Sequence, residues 1–361
     1  MAISTADTVA RRSVEVLKQG QAESGALIAS PAFPVYRYAW LRDGAFCAHA
    51  LDIVGETEAA SAFHAWVVRS IESHRAMIER AIERIDARDT PRPEEMPPAR
   101  YTLDGSLEQP DDEPWPNFQV DGYGMWLWAL SEHLRGLPAA GGLRDTIELV
   151  ARYVESTWPL KSFSCWEEFD GGEHASTLGT AVAGLEAASR LLDERNWMER
   201  ADDVREHLLG RFLQSGRFMR GPADERVDGS LLWLAVPFQV LPVHDPRIEA
   251  TVEAVRRDLH RPGGGVYRYR GDSYYGGGEW ILLACSLAWH ELQRGDRDAA
   301  EPLREWVRAQ AQPNGDLPEQ VSGHLQQPEM YAPWFERWGP VATPLLWSHA
   351  MYLIMESAAG A

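Results

Sequence analysis

The chain has 361 residues, 45% hydrophobic and 25% charged, a balance that suits a globular protein with a buried core and excludes a disordered chain. A formal net charge of −19 leaves no basic face for a phosphate backbone and disfavours polyanionic substrates, whereas a neutral small molecule such as a sugar is compatible. No apolar run reaches the length of a membrane span and the first residues lack a signal peptide's pattern, so the expectation is a cytoplasmic protein with neither nucleic-acid nor membrane partners.

Helical periodicity runs from end to end, and alternating β-branched stretches are almost absent. The spacing predicts twelve helices, over 5–18, 43–54, 57–85, 121–136, 144–157, 176–192, 196–214, 229–240, 246–259, 278–293, 297–311 and 344–357. Asp43 opens the second, Gly136 and Pro138 close the fourth, and Gly295-Asp296 separates the tenth from the eleventh. The connections after the odd-numbered helices are long (19–42, 86–120, 158–175, 215–228, 260–277 and 312–343), and those after the second, fourth, sixth, eighth and tenth are short. Short links join antiparallel neighbours, so this alternation sends all six long loops to one end of a helical array. An all-α (α/α)6 barrel, in a single domain over 1–361, gives that pattern. A helical-repeat solenoid would need a fixed sequence period, and none is found.

The long loops hold the chemically suggestive clusters. The first carries Tyr36, Tyr38, Trp40, Arg42 and Asp43, and the second ends in Asp112-Glu113-Pro114-Trp115 followed by Gln119 and Asp121. The third contains Ser164-Cys165-Trp166-Glu167-Glu168-Phe169-Asp170, a poor helix and a poor core strand. In an extended loop the side chains of neighbours point to opposite sides, so Glu167 and Glu168 can do different jobs. Two like charges this close also push one pKa upward, which suits a carboxyl that must stay protonated to act as an acid. A bare Glu-Glu pair by itself reads as a solvated acidic turn. The fifth loop holds Arg268, Asp272, Tyr274 and Tyr275, and the sixth holds Glu319-Gln320. Many of the fifteen tryptophans sit in these loops beside carboxylates, where flat rings stack on sugar faces. Convergence on one face implies a concave, aromatic, sparsely charged pocket.

Other residues have plainer readings. Cys47, Cys165 and Cys285 have neither disulfide nor zinc spacing. His174, His324 and His349 lack metal-ligand spacing and read as solvated or core histidines, so no metal or cofactor is expected. Arg42-Asp43 has an alternative as a surface pair with Asp43 capping a helix. Asp272 beside Arg268 reads equally as a loop-ordering salt bridge. Trp280 and Trp347 sit at helical positions among apolar neighbours, with core packing favoured for Trp280. Asp224, Glu225 and Asp228 read as a solvated turn followed by a helix cap.

Taken in order, these segments resemble the glucoamylase family, glycoside hydrolase family 15, over about Tyr36 to Met355. Tyr36-x-Tyr38-x-Trp40-x-Arg42-Asp43 is similar to the segment whose Arg-Asp pair binds the terminal glucose, and Trp115 to the indole over the next sugar. Trp166-Glu167-Glu168 is similar to the acid segment. Arg268, Asp272, Tyr274, Tyr275 and Trp280 match a segment that binds the leaving-side sugar. Glu319-Gln320 followed by Trp347-Ser348-His349-Ala350 matches the base segment. The resemblance implies an inverting exo-attack with Glu167 as general acid, Glu319 as general base, Glu168 on the second sugar and Tyr36 near the attacking water. Inversion needs two carboxyls about 6.5–9.5 Å apart. Ser164 stands where the long starch-degrading members carry an aspartate, and the loop from Glu319 to Trp347 is longer and rich in aromatics. That elaborate lid suits a small oligosaccharide, and the opening Ser24-Gly25-Ala26-Leu27-Ile28-Ala29-Ser30-Pro31 with the Trp40-Leu41-Arg42-Asp43-Gly44 version of the first motif is similar to a bacterial subgroup acting on isomaltose, which implies isomaltose-type before maltose-type substrates. The alternatives are a trehalase of the same family, a catalytically silent sugar-binding barrel, and an α/α-barrel epimerase, which would rely on paired histidines in the pocket.

Overall fold

The computed structural model describes residues 5–108, 115–168 and 171–360; Asp112, Glu113 and Pro114 of the second loop and Phe169 and Asp170 of the acidic stretch lie outside the described residues. Thirteen α-helices run through it: α1 (Thr5–Gln19), α2 (Leu41–Ile53), α3 (Thr57–Ser73), α4 (Arg75–Asp86), α5 (Asp121–His133), α6 (Leu143–Thr157), α7 (Ala175–Leu192), α8 (Asn196–Arg211), α9 (Pro246–Asp258), α10 (Ile281–Gln293), α11 (Arg297–Ala309), α12 (Tyr331–Trp338) and α13 (Leu346–Gly360). None is long and apolar enough to cross a membrane.

Sequence sorts these helices into two rings. Residues 41–48 of α2, 121–131 of α5, 281–291 of α10 and 346–355 of α13 are buried without a break. A helix apolar on every side has to sit inside. By contrast α11 buries Ala300, Leu303 and Val307 on one stripe and spends the rest of its surface on Arg and Glu, so it lies outside. The inner elements close a circle: α2 packs on α5, α5 on α7, α7 on a 3-10 helix at Gly229–Leu234, that turn on α10, α10 on α13, and α13 on α2. Outside them α1 packs on α13, α3 on α2, α6 and α8 on α7, α9 on the 229–234 turn, and α11 on α10. This is the expected (α/α)6 barrel.

Three elements differ from the sequence expectation. The inner member expected as a helix over 229–240 is a 3-10 helix of six residues followed by turns. Pro237 supplies no N–H and its ring clashes with the carbonyl four residues back, so an α-helix cannot run through it. The helix expected over 57–85 is two, α3 and α4, broken at His74 (φ −111°, ψ 12°). There the His74 ring hydrogen-bonds the Gly105 carbonyl at 2.9 Å and stacks on Tyr101, pinning the second long loop to the break. The sixth loop contains a helix of its own, α12, which was expected as loop.

Two short antiparallel ladders tie the long loops together. Ala39–Trp40 (β1) pairs with Arg100–Tyr101 (β2), joining the first loop to the second. A hairpin of Leu213–Gln214 (β3) and Arg217–Phe218 (β4) follows α8. Glu279–Trp280 (β5) pairs with Gln320–Val321 (β6), joining the fifth loop to the sixth. Below them aromatic rings fill the barrel's bore: Phe46 lies 5.5 Å from Trp347, 6.1 Å from Trp233 and 5.5 Å from Trp128, centroid to centroid. Phe46 is fully buried. Truncating it to alanine would cost about 3–5 kcal/mol through lost transfer energy and the cavity left behind. The three cysteines are free and buried, as their spacing suggested.

Candidate active site

A cavity of about 250 Å³ opens at the long-loop end, lined among others by Tyr36, Trp40, Arg42, Asp43, Trp115, Trp166, Glu167, Glu168, Arg268, Glu319 and Trp347. Eleven of the thirteen candidate residues therefore meet in one place. The other two stand behind the wall. Asp272, fully buried, holds the Arg268 guanidinium through two hydrogen bonds of 2.8 and 2.6 Å. Gln320 accepts from the Gly278 backbone at 2.9 Å, bracing the β5–β6 ladder.

The first turn of α2 delivers two residues to the cavity. Helix α2 begins at Leu41, two residues earlier than expected, with Trp40 as its extended N-cap residue, so Asp43 lies inside the first turn and does not cap it. Arg42, 5% exposed, is not a surface side chain. It donates to Gln119 Oε1 at 2.7 Å, to Asp121 Oδ2 at 3.2 Å and to Glu167 Oε1 at 3.4 Å, and its Nε lies 3.4 Å from Asp43. Burial works against the Arg42 charge, and Asp121, Asp43 and Glu167 more than offset it, so its pKa is raised and the cation is fixed.

The acidic stretch is a tight turn and not the extended loop expected. Glu167 has a left-handed φ of 64°. Its N–H donates to the Ser164 carbonyl at 2.8 Å, and the Ser164 N–H donates to the Glu168 carbonyl at 2.9 Å. Such a conformation costs a non-glycine residue on the order of 1–3 kcal/mol and persists only where the surroundings hold it. Here they do. The indole of Trp40 donates to Glu167 Oε1 at 2.6 Å and Gln119 Nε2 donates to the same oxygen at 3.2 Å. Glu168 turns the other way, accepting from Arg268 at 3.1 Å and from the Tyr269 hydroxyl at 2.5 Å. The two carboxylates do face different partners, through a turn where alternation along a strand was expected.

Glu319 comes from the sixth loop, held by its own backbone: its N–H donates to Ala342 and its carbonyl accepts from Ile281 at the start of α10. It is 3% exposed. The Tyr36 hydroxyl donates to Oε1 at 3.0 Å, while Oε2 is buried without a partner. Burial pushes the Glu319 pKa up to about 7, opposed by the Tyr36 hydrogen bond and by the Arg268 charge. Asp43 is pushed up to about 7 as well, by burial opposed by Arg42 and reinforced by Glu167. Burial raises Tyr36 and Tyr274 well above their ordinary range, so both stay neutral donors.

Several residues that shape the cavity carried no individual role in the sequence. Asp228, expected as a solvated cap, is a cap but not solvated. It is 1% exposed, accepts from the Ser230 N–H, and receives the Trp166 indole at 2.9 and 3.0 Å. Tyr274 joins the Tyr36 hydroxyl at 2.9 Å. Trp280, expected in core packing, lines the cavity, as do Trp334 and Trp338 of α12. Arg100, 1% exposed, lies 4.0 Å from the Trp115 ring and 4.1 Å from the Tyr38 ring, fixing the aromatic wall from behind. His174 and His349 are buried and hydrogen-bonded, to Ser162 and to Ser13 with the Leu317 N–H; His324 lies against Arg261 and Glu279 outside the cavity lining.

The cavity thus presents two buried carboxylates, a neutral tyrosine pair, fixed cations and flat aromatic walls, a chemistry for moving protons at a neutral hydroxylated molecule. The family model of glycosyl hydrolases family 15 matches residues 5–313. An isomaltose glucohydrolase of Kribbella flavida is 38% identical over 364 residues, covering 98% of this chain and 92% of that protein. Solved structures of a glycosidase, one of them a glutamate-to-alanine variant in complex with glucose, superpose at a TM-score of 0.92 with 37% identity, over 99% of this chain and 97% of theirs. A bacterial glucoamylase complexed with acarbose shares the fold at a TM-score of 0.77 and 20% identity, over 97% of this chain and 55% of that one.

Proposed function

This chain belongs to glycosyl hydrolases family 15 and is a glycoside hydrolase, and on that premise we propose an inverting exo-acting α-glucosidase that releases β-glucose from the nonreducing end of short α-glucosides. Isomaltose-type (α-1,6) substrates come before maltose-type (α-1,4), and the chain acts as one catalytic domain. The observation that carries the reading is the contrast between two carboxylates lining one cavity. Oε1 of Glu167 is saturated by Trp40, Gln119 and Arg42, whereas Oε2 of Glu319 has no partner.

Glu167 is the general acid. With Oε1 taken by three donors, the proton for the glycosidic oxygen sits on Oε2, and departure of the aglycone leaves a carboxylate whose charge Arg42 already faces. Glu319 is the general base. Oε1 is anchored by Tyr36, and Oε2 takes the proton of the water that attacks the anomeric carbon from the opposite face. Arg42 and Asp43 bind hydroxyls of the terminal glucose, and Asp43 Oδ2, buried beside Arg42 Nε without a hydrogen bond, gains one when the sugar enters. Glu168, held by Arg268 and Tyr269, and the indole of Trp115 take the second sugar. The preference for an isomaltose-type linkage is supported by the 38% identical relative and by the aromatic side chains that α12 adds to the cavity wall.

A proton NMR time course with isomaltose, maltose and trehalose tests this reading. Early β-glucose from isomaltose, faster than from maltose, is the expected result. Initial α-glucose would contradict inversion and remove Glu319 as base, and a 1:1 burst of both anomers from trehalose alone would make the protein a trehalase.

A further inference from the structure

The histidines beyond the active site do not all have hydrogen-bond partners. His64, on α3, is 4% exposed, and neither of its ring nitrogens has one. Its ring lies 4.8 Å from that of His133, the last residue of α5. Nδ1 of His133 in turn stands 2.9 and 3.0 Å from the two carboxylate oxygens of Asp52, in the last turn of α2. One ligand atom from each of Asp52, His64 and His133 lies within 4.8 Å of the others. No other such group occurs among the described residues.

We propose that Asp52, His64 and His133 bind one divalent transition-metal ion of the zinc class, clamping the ends of α2 and α5 to α3. Two imidazoles and one carboxylate are the donor set zinc takes, with water free to enter as a fourth ligand because Asp52 and His133 are partly exposed. Ser61 supplies the outer support such a site needs. Its hydroxyl lies 3.0 Å from His133 Nε2, where it holds the ring's second nitrogen while Nδ1 faces Asp52. Without an ion, Nδ1–H donates to the Asp52 carboxylate at 2.9 and 3.0 Å, and a bound ion takes the place of that proton. Ligands about 2.0–2.1 Å from a tetrahedral ion stand roughly 3.3 Å apart, so binding opens the Asp52–His133 contact slightly and draws the His64 ring inward. That same step gives a buried His64 nitrogen a partner.

The ion is structural. Asp52 lies nine residues along α2 from Asp43, roughly 14 Å down the helix from the sugar cavity. The sequence spacing gave no sign of it, because the three ligands come from three helices and form no HxxxH or CxxC pattern.

The test is a titration of chelator-stripped enzyme with Zn²⁺ against a chromogenic competitor, repeated with Co²⁺ for its visible absorption. The expected result is one ion per chain, tetrahedral Co²⁺ bands, and a melting temperature higher by about 3–5 °C at hundredfold excess over Kd, with isomaltose turnover unchanged. Asp52→Asn, which keeps the size of the side chain and a hydrogen bond to His133, and His64→Gln each lower the affinity at least tenfold. No stoichiometric binding, or binding undiminished in both variants, would overturn the proposal, the second by placing the ion elsewhere on this acidic surface.

Discussion

The Tyr36 hydroxyl donates to Oε1 of Glu319 over 3.0 Å and leaves Oε2 buried and unpartnered, so the two oxygens of one carboxylate differ in what they can still accept. A donor aimed at the ionised form lowers a carboxyl's pKa, and here it works against a burial that has carried Glu319 up to about 7. The sign of the pH dependence follows. A base must be ionised, so kcat/KM falls as pH drops below about 7, with Asp43 titrating in the same window. Tyr36→Phe removes the donor and shifts the acid limb to higher pH. It also lowers kcat about ten- to hundredfold, the worth of one hydrogen bond to a charged group. A pH–rate profile that keeps its limb in place would show that Tyr36 does not act through Glu319.

Glu319→Gln separates catalysis from stability. On its proposed role as the base, its loss lowers kcat by about 10²–10⁴. Stability moves the other way. Glu319 has a folded pKa near 7 against an ordinary value of 4.5, so the native state holds a proton that the unfolded chain has released between those limits. Stability therefore falls as pH rises from about 4.5 to about 7 and stays at the lower level above it. The neutral amide avoids that loss, on the order of 3 kcal/mol by the size of the shift. Thermal unfolding at pH 8 and pH 4 checks this: the variant melts higher than the parent at pH 8 and gains little at pH 4.

Adjacent glutamates invite a one-residue ambiguity that kinetics resolves. Glu167→Gln slows hydrolysis of isomaltose by about 10²–10⁴, and far less for α-glucosyl fluoride, whose leaving group needs no proton. Glu168→Gln leaves kcat closer to the parent and raises KM, on the proposal that Glu168, held by Arg268 and Tyr269, takes the second sugar. If the fluoride rescued Glu168→Gln and not Glu167→Gln, the two roles would be exchanged.

Asp228 anchors Trp166 through its indole and faces Arg220 at 3.3 Å. Asp228→Ala removes the acceptor of the Trp166 indole and one of the two carboxylates facing Arg220, which keeps Asp224, and costs about 1–3 kcal/mol. Asp228→Asn keeps an acceptor for the indole and is milder. Parallel urea unfolding and isomaltose kinetics should show both variants less stable, with KM rising more for alanine as Trp166 loses its seat.

The barrel was legible because the lengths of its connections alternate, and loop length depends on topology more than on any single residue. Where a helix was misjudged, a local feature overrode periodicity, Pro237 in the fourth hairpin and His74 in the second. The cavity's carboxylates, Arg42 and the loop aromatics were legible for a different reason: they cluster in short segments. Asp228 and Arg100 were not, since each acts by reaching a ring in another loop, Trp166 in one case and Tyr38 in the other. Asp272 and the Oε1 of Gln320 belong to the motif segments but are spent inside the wall, which spacing cannot distinguish from pointing into the cavity.

Phe46, Trp233 and Trp347 pack ring against ring in the bore beneath the cavity. If those rings bar the way through the bore, a glucose released by the proposed exo-attack leaves by the cavity mouth, after the shortened chain has dissociated. On the proposed exo-attack, each turnover then ends with both products released, and the expected behaviour is distributive. On isomaltotriose, isomaltose accumulates in free solution before it is consumed, and a pulse of unlabelled substrate dilutes the labelled intermediate completely.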